Sequence, residues 1–356
     1  MPPYDAFLLV SFGGPEGPGD VIPFLQNVTR GRAVPPERLE QVAAHYYQFG
    51  GVSPINQQCR DLLALIEKEF AASGIDLPLY WGNRNWDPYL ADTVAAMARD
   101  GVRRAIAFVT SAYSSYSSCR QYLDDIELAR AAAGPGAPQV DKIRQYFNHP
   151  GFIEPLAAST RRAVESLPAS VQNDAQLVFT AHSIPAAMAA ASGPGGSGAY
   201  PAQLAEAARL IAGRAGGGPA GGPRPWRLAY QSRSGPPSQP WLGPDVSDCL
   251  TELSRAGVPA VVLVPVGFVS DHLEVRYDLD VAAAETAGRL GLPLARAATP
   301  GTSPGFVTMI SELVRERLDG APRAAVGSLG PLHDICPNGC CVASAIASAG
   351  RPGGQL

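Results

Sequence analysis

Lysine, charge and long apolar runs are scarce in this 356-residue chain. Of its 28 basic residues only Lys68 and Lys142 are lysine, charged residues make up 17%, and the formal net charge is −4. Such a chain has no long-range attraction for nucleic acid or anionic lipid. No stretch approaches the roughly 20 apolar residues of a membrane span, and the N-terminus lacks the pattern of a signal peptide. We therefore expect a cytoplasmic protein that neither binds nucleic acid nor inserts stably into membranes.

Cysteine is also rare, and its six copies are unevenly placed. Cys59, Cys119 and Cys249 each stand alone, whereas the other three fall in Cys336-Pro-Asn-Gly-Cys340-Cys341. Adjacent cysteines rarely pair, and a reducing cytosol disfavours disulfides, so the second group raises the question of a metal or iron–sulfur site. Cys119 is interpreted as a small buried apolar residue.

Enough apolar material is present for a large core, because hydrophobic residues make up 46% of the chain. The length favours two domains of ordinary size. Several enzyme motifs are missing from the sequence: the P-loop, G-x-G-x-x-G after a strand, and H-E-x-x-H.

Short apolar runs alternate with amphipathic stretches along most of the chain. Each run is apolar on both faces and ends in a turn, which is typical of strands in a covered parallel sheet. The predicted strands are Ala6–Phe12, Leu77–Trp81, Ala105–Thr110, Gln176–Ala181, Trp226–Tyr230 and Ala260–Pro265. The predicted helices include Pro36–Phe49, Ile55–Ala72, Pro88–Ala98, Phe152–Leu167, Pro201–Ala212 and Ala282–Leu290. The alternation predicts a doubly wound α/β fold with parallel sheets flanked by helices.

An internal similarity suggests that the chain contains two related halves. Gly101-Val102 matches Gly257-Val258, each pair leads into an apolar strand, and Leu123-Asp124 later matches Leu279-Asp280. Two such α/β halves would face a common cleft, where ligands bind at the carboxyl ends of the strands.

Two polar clusters follow predicted strands of the second half. His272, Glu274 and Asp278 offer one imidazole and two carboxylates, although acidic residues also simply stabilise a helix N-terminus. His182 ends another strand, where a histidine is often a packed or capping residue. A neutral imidazole opposite a carboxylate can accept protons or bind a divalent metal.

Five sequence blocks in this order resemble the ferrochelatases, specifically the actinobacterial coproporphyrin type. The resemblance implies the class II chelatase fold: two Rossmann-like domains, residues 1–148 and 149–325, with a porphyrin cleft between them, then a cysteine-containing tail, residues 326–356. The blocks are Leu9-Val10-Ser11-Phe12-Gly13-Gly14-Pro15, Gly50-Gly51-Val52-Ser53-Pro54, Thr110-Ser111-Ala112-Tyr113-Ser114-Ser115-Tyr116-Ser117, Thr180-Ala181-His182-Ser183-Ile184-Pro185 and Ser270-Asp271-His272-Leu273-Glu274.

The resemblance also implies roles for individual residues. His182 would bind the metal and accept pyrrole protons, and Glu274 would bind or deliver iron from the opposite face of the ring. His272 and Asp278 would continue a polar path behind Glu274. Porphyrin-binding positions of the family match Ser53, Tyr122, Arg30 and Tyr46, the last two at its carboxylates. Phe12 stands where some relatives have a tyrosine that reaches the metal.

The implied reaction is insertion of ferrous iron, as substrate, into coproporphyrin III in haem biosynthesis, with downstream haem-pathway enzymes as partners. Coproporphyrin is favoured by the actinobacterial motifs and by a rim bearing Arg30 and Arg32 without an apolar lip for membranes. Three alternatives stay open: protoporphyrin IX as substrate, another class II chelatase that inserts cobalt or nickel, and a non-catalytic two-lobed haem- or metal-binding protein.

Cys336, Cys340 and Cys341 resemble the three C-terminal ligands of the [2Fe–2S] cluster found in several ferrochelatases. Four ligands are normally needed. The family's fourth cysteine follows the segment matching Asn148-His149-Pro150, and residues 152–159 contain none here. A lone cysteine, His333 or an oxygen would have to replace it; the alternative is a tail with free thiols.

Overall fold

The structure, a computed structural model, describes residues 3–31, 34–218, 222–235 and 238–342. Eight parallel strands form two four-stranded sheets. The strands are β1 Ala6–Ser11, β2 Leu79–Asn83, β3 Arg104–Val109, β4 Gln139–Lys142, β5 Gln176–His182, β6 Trp226–Gln231, β7 Val261–Val264 and β8 Leu294–Arg296. The helices of the first half are α1 Val21–Val28, α2 Pro36–Tyr47, α3 Ile55–Ser73, α4 Leu90–Arg99 and α5 Gln121–Ala133. Those of the second half are α6 Pro150–Glu165, α7 Ala186–Ala190, α8 Ala199–Ala215, α9 Val246–Arg255, α10 Leu273–Arg276, α11 Ala284–Leu290 and α12 Pro304–Leu318.

The two sheets have the same topology. Their orders are β2-β1-β3-β4 and β6-β5-β7-β8, so the first strand of each half lies between the second and the third. Connections therefore leave that central strand in opposite directions, which opens a crevice at the carboxyl ends of β1 and β3, and another at those of β5 and β7. The predicted α/β fold with two Rossmann-like parallel sheets is confirmed.

All six predicted strands are present, but two edge strands were missed. Gln139–Lys142 and Leu294–Arg296 are only four and three residues long. Three of the four residues of the first are polar, and every residue of the second is only partly buried. Edge strands need little apolar sequence because one side of each carries no neighbouring strand.

The internal similarity corresponds to a repeated local structure. Gly101 and Gly257 have left-handed φ values of +80° and +78° and lie in the turns after α4 and α9. Farther along, Arg120 pairs with Asp124 and Arg276 pairs with Asp280, with closest N–O distances of 3.0 and 3.7 Å. Each arginine is part of or borders a short π-helical segment, Tyr116–Arg120 or Tyr277–Ala283.

The halves share one apolar core. Phe108 and Tyr146 stack at 4.9 Å between ring centroids, and both pack edge-on against Phe306 of α12. Helix α12 contacts α3 of the first half as well as α6 of the second. The proposed domain boundary between residues 148 and 149 stays a prediction.

Helices α1 and α2 of the first half pack against the second half. Leu273 of α10 is buried in one apolar cluster with Val21, Phe24 and Tyr46. This contact brings α10, which carries Glu274, against the first half. None of the helices in the described ranges is long and apolar enough to cross a bilayer.

Candidate active site

The two polar clusters predicted from the sequence meet at the crevice of the second sheet. His182 is the last residue of β5, and the loop after β7 leads into α10, which carries Glu274. Strands β5 and β7 are neighbours, so their carboxyl ends bring the two segments together at the point where the strand order reverses. An open groove of about 670 Å³ between α6 and α12 lies apart from these residues.

His182 and Glu274 lie side by side in the site. Nε2 of the imidazole is 3.9 Å from Oε2 of the carboxylate, and the side chains are 39% and 38% exposed. A porphyrin between them would need about 3.5 Å of clearance on each face. Both groups reach one point in this structure, and the prediction that they act from opposite faces of a bound ring stays a prediction.

Backbone contacts fix the orientation of His182. Its Nδ1 is 2.6 Å from the carbonyl oxygen of Ser183, and its own carbonyl accepts a hydrogen bond of 2.9 Å from the Tyr200 hydroxyl. A carbonyl oxygen can only accept, so Nδ1 carries the hydrogen. Nε2 of the neutral ring then keeps its lone pair and points toward Glu274, as required of a metal ligand or a proton acceptor.

Asp278 lies behind this pair and is held by two residues that sequence reasoning missed. Gln231, the last residue of β6, donates from Nε2 to Oδ2 at 3.1 Å, and the Ser232 hydroxyl donates to the same oxygen. Ser232 has a left-handed φ of +59°. In the sequence, Gln231 and Ser232 stand out only as polar residues after a predicted strand. Their partner Asp278 is distant in sequence, so the contact could not be predicted.

Partial removal from water shifts the ionisable groups of the site toward their neutral forms. Burial raises the pKa of Glu274 against the attraction of His182, and it raises that of Asp278 against its hydrogen bonds from Ser232 and Gln231. Burial and the neighbouring His182 lower the pKa of His272 to about 4. His272 is thus neutral near pH 7, with its ring edge-on to Phe268 at 5.4 Å.

Helix α2 covers the site from the first half. His45 stacks on Tyr277 at 3.7 Å between ring centroids, and the Arg276 guanidinium lies 5.0 Å from the centre of the Phe49 ring. Burial, together with the charges of Glu274 and Asp278, raises the pKa of Tyr46 well above its usual value. The Tyr46 hydroxyl therefore remains protonated beside the two carboxylates.

The other predicted porphyrin-binding residues lie outside this cluster. Ser53 is buried behind the loop after β1, where its N–H donates to Pro15 O at 2.8 Å. Tyr122 is buried on α5 beneath the Arg84 guanidinium, 4.6 Å from the centre of its ring. Arg30 is exposed just after α1 and donates to Asn27 Oδ1 at 2.5 Å. Arg32 lies outside the described residues. Their roles in binding porphyrin stay predictions.

Phe12 has no polar atom to offer at the position where some relatives have a tyrosine. Its ring packs edge-on against Phe24 at 6.2 Å and is only partly buried. The first half therefore presents an apolar side chain after β1, and we derive no metal ligand from that loop.

The tail brings its cysteines together beside a histidine. The ligand atoms of His333, Cys336 and Cys340 all lie within 4.8 Å of one another. Cys340 Sγ is 3.9 Å from both His333 Nε2 and Cys341 Sγ, and Cys341 Sγ accepts a hydrogen bond of 3.2 Å from Gly193 N. The three predicted cluster ligands are thus neighbours in space.

The architecture is a chelatase-type α/β fold. SirB from Bacillus subtilis, solved with Fe3+, superposes with a TM-score of 0.53 at 10% identity, over 89% of this chain and 96% of that chain. At that identity the likeness shows the fold alone.

The chain belongs to the ferrochelatase family, whose model matches residues 4–318. It is 54% identical to the coproporphyrin III ferrochelatase of Streptomyces coelicolor, over 96% of this chain and 94% of that protein. It is 55% identical to the coproporphyrin III ferrochelatase of Nocardia farcinica, over 98% and 99%. A relative from Rhodopirellula baltica, named simply ferrochelatase, is 53% identical over 96% and 94%. The family identified from the sequence blocks is confirmed.

Proposed function

We propose that this protein is an enzyme that inserts ferrous iron into coproporphyrin III, giving Fe-coproporphyrin III for haem biosynthesis. The observation that carries the proposal is the His182–Glu274 pair at the strand crevice of a ferrochelatase-family chain. The names of the Streptomyces and Nocardia relatives favour coproporphyrin III over protoporphyrin IX.

His182 and Glu274 act together on the incoming iron. Imidazole and carboxylate ligands lie about 2 Å from a divalent ion, so two ligands of one ion can be up to about 4 Å apart. The separation of 3.9 Å between Nε2 and Oε2 suits that arrangement. Both groups thus bind the ferrous ion and replace part of its water shell before the porphyrin receives it.

Iron insertion also displaces two protons from the pyrrole nitrogens. Nε2 of His182 carries the lone pair that accepts a proton, because Nδ1 is engaged by Ser183 O. Glu274 has a raised pKa, so its carboxylate takes a proton more readily than an exposed glutamate. Asp278, held by Gln231, lies next along the route by which such protons leave the site.

Porphyrin binding depends on the first half in this proposal. Arg30, fixed by Asn27, and Tyr46 bind the propionates, while Ser53 and Tyr122 support the wall against the ring. Binding energy from carboxylates remote from the metal can support bending of the macrocycle, which turns the pyrrole nitrogens toward the iron. Coproporphyrin III, with more propionates than protoporphyrin IX, gains more from such cationic contacts.

The tail holds a [2Fe–2S] cluster in this proposal, with Cys336, Cys340 and Cys341 as ligands. The donor set fits, because soft thiolates prefer iron–sulfur clusters or zinc over hard cations. Such a cluster supplies a redox-sensitive cross-link and a one-electron couple, and the insertion reaction at His182 does not pass through it. The enzyme acts in the cytoplasm and passes its product to a downstream haem-pathway enzyme.

A comparison of substrates tests the proposal. The purified protein is mixed anaerobically with ferrous iron and either coproporphyrin III or protoporphyrin IX, and metalloporphyrin formation is followed by its absorption spectrum. We expect kcat/KM to be at least about tenfold higher with coproporphyrin III. A preference for protoporphyrin IX would support that alternative, and cobalt or nickel insertion into sirohydrochlorin without iron insertion would support another chelatase. Binding without turnover in every case would support a non-catalytic protein.

A further inference from the structure

The structure places a fourth sulfur beside the tail cysteines. Cys119 belongs to the π-helical segment Tyr116–Arg120 of the first half and is 3% exposed. Its sulfur is hydrogen-bonded with the thiol of Cys336, more than two hundred residues later in the chain. Cys119 is buried, as expected from the sequence. It contacts the candidate cluster ligand Cys336 as well as apolar residues.

The two remaining lone cysteines have different surroundings. Cys59 is buried on α3 next to Ser11, and burial raises the pKa of its thiol to about 11. Cys249 is buried on α9 in the apolar core of the second half. Of the cysteines in the described ranges outside the tail, Cys119 alone is recorded in contact with a tail cysteine.

Lys142, at the end of β4, indicates that a negatively charged group belongs beside Cys119. Its side chain is 7% exposed, and its ammonium donates to the carbonyl of Ile143 at 3.0 Å and to Gln145 Oε1 at 2.7 Å. Both acceptors are neutral, and no carboxylate of the described residues forms an ion pair with it. A buried ammonium without an anion is costly. The Cys119 sulfur, which can carry a negative charge as a thiolate, is hydrogen-bonded with Lys142 as well as with Cys336.

We propose that Cys119 is the fourth thiolate ligand of a [2Fe–2S] cluster whose other ligands are Cys336, Cys340 and Cys341. This inference rests on the cluster included in the proposed function. An assembly of four thiolates, two sulfides and two ferric ions is negatively charged, and Lys142 supplies the buried counter-charge. The cluster then joins the tail to the strand–helix turn after β3, so that the tail and the first half meet at one inorganic group.

His333 is the competing fourth ligand, because its Nε2 lies 3.9 Å from Cys340 Sγ. In our assignment the His333 ring lies against Cys340 as a neighbour and not as a ligand. Histidine ligation in place of a thiolate would raise the reduction potential of the cluster and change its spectrum.

The test uses the full chain, reconstituted anaerobically with iron and sulfide. Iron, acid-labile sulfide, visible circular dichroism and the EPR spectrum of the reduced protein are measured for wild type and for C119A, C119S, H333A, C59A and C249A. We expect about two irons and two sulfides per chain in wild type, H333A, C59A and C249A, and less than about a tenth of that in C119A. C119S keeps the volume of the side chain and should show either loss of the cluster or a changed charge-transfer spectrum.

The outcomes distinguish failure of the Cys119 assignment from failure of the cluster itself. A C119A or C119S protein with the wild-type iron content and spectrum overturns the assignment of Cys119, and loss of the cluster in H333A alone transfers the role to His333. Wild type that binds zinc without sulfide, or no metal, overturns the cluster itself. Far-ultraviolet circular dichroism and iron insertion into coproporphyrin III, measured on the same samples, show whether each variant is folded and whether the main reaction is intact.

Discussion

His182 Nε2 lies 3.9 Å from Oε2 of Glu274, although one residue ends β5 and the other lies on the short helix after β7. Strand pairing in the second sheet makes this meeting possible, because β5 and β7 are adjacent and parallel. The pair joins a lone pair with a fixed direction to a carboxylate of raised pKa. In a ferrochelatase-family chain, this is the arrangement that can receive a ferrous ion and pyrrole protons at the same point.

Glu274 should be essential for the use of ferrous iron and not for the binding of porphyrin. Glu274→Gln keeps the shape of the side chain and removes its negative charge, so we expect kcat/KM for ferrous iron to fall by about 100-fold. Coproporphyrin III affinity, measured by fluorescence quenching, should change by less than about threefold. Glu285→Gln on α11 is the matched control, because Glu285 is an exposed glutamate. Normal iron kinetics in Glu274→Gln would remove this residue from the metal site.

His149 should make the stability of the protein depend on pH. Burial lowers its pKa to about 4, while its Nδ1 accepts a hydrogen bond from Gly151 N at the start of α6. Between about pH 6.5 and 4 the unfolded chain binds a proton at this site that the folded chain does not. The free energy of unfolding therefore falls as the pH falls through this window, by at most about 1.4 kcal/mol per pH unit.

His149→Asn isolates this effect, because asparagine can cap α6 but does not titrate. Urea unfolding of both proteins from pH 7 to pH 4.5 should give a shallower pH dependence for the variant. The carboxylate of Glu312, 3.5 Å from Nε2, reduces the difference by partly stabilising the protonated ring. Parallel curves would show that His149 is protonated in the folded protein with its ordinary pKa.

The ion pair of Arg144 with Glu316 should be important for stability. Both side chains are buried, at 1% and 3% exposure, and two hydrogen bonds of 2.7 Å join them between the end of the first half and α12. Glu316→Gln would leave the Arg144 guanidinium without its closest anion, so we expect a loss of about 3–5 kcal/mol in urea unfolding.

Glu252→Gln, which breaks the exposed pair with Arg227, is the control for that prediction and should change stability by less than about 1 kcal/mol. Equal effects of the two substitutions would mean that burial of the Arg144 pair has no special energetic role.

Much of the fold followed from local patterns in the sequence. Buried parallel strands such as β1 and β5 are apolar on both faces, and helices such as α3 have a clear period, so these elements were predictable. The short edge strands β4 and β8 were not, because each carries too few apolar residues to give a pattern.

The site was only partly predictable. His182, Glu274 and Asp278 stood out because polar residues interrupt apolar strands at their carboxyl ends. Their mutual distance depends on strand order, which the sequence does not state. The sequence predicts only a small buried residue at Cys119 for the same reason, because its contact with Cys336 forms only when the tail folds back onto the first half.

The most direct measurement is the rate of anaerobic iron insertion into coproporphyrin III by wild type and His182→Ala. Removing the imidazole takes away a ligand and a proton acceptor, so we predict a rate lower by about 100-fold or more with porphyrin binding retained. His149→Asn, at the start of α6, serves as the histidine control and should keep the wild-type rate. Undiminished turnover by a folded His182→Ala protein, or no Fe-coproporphyrin III from wild type, would contradict the account.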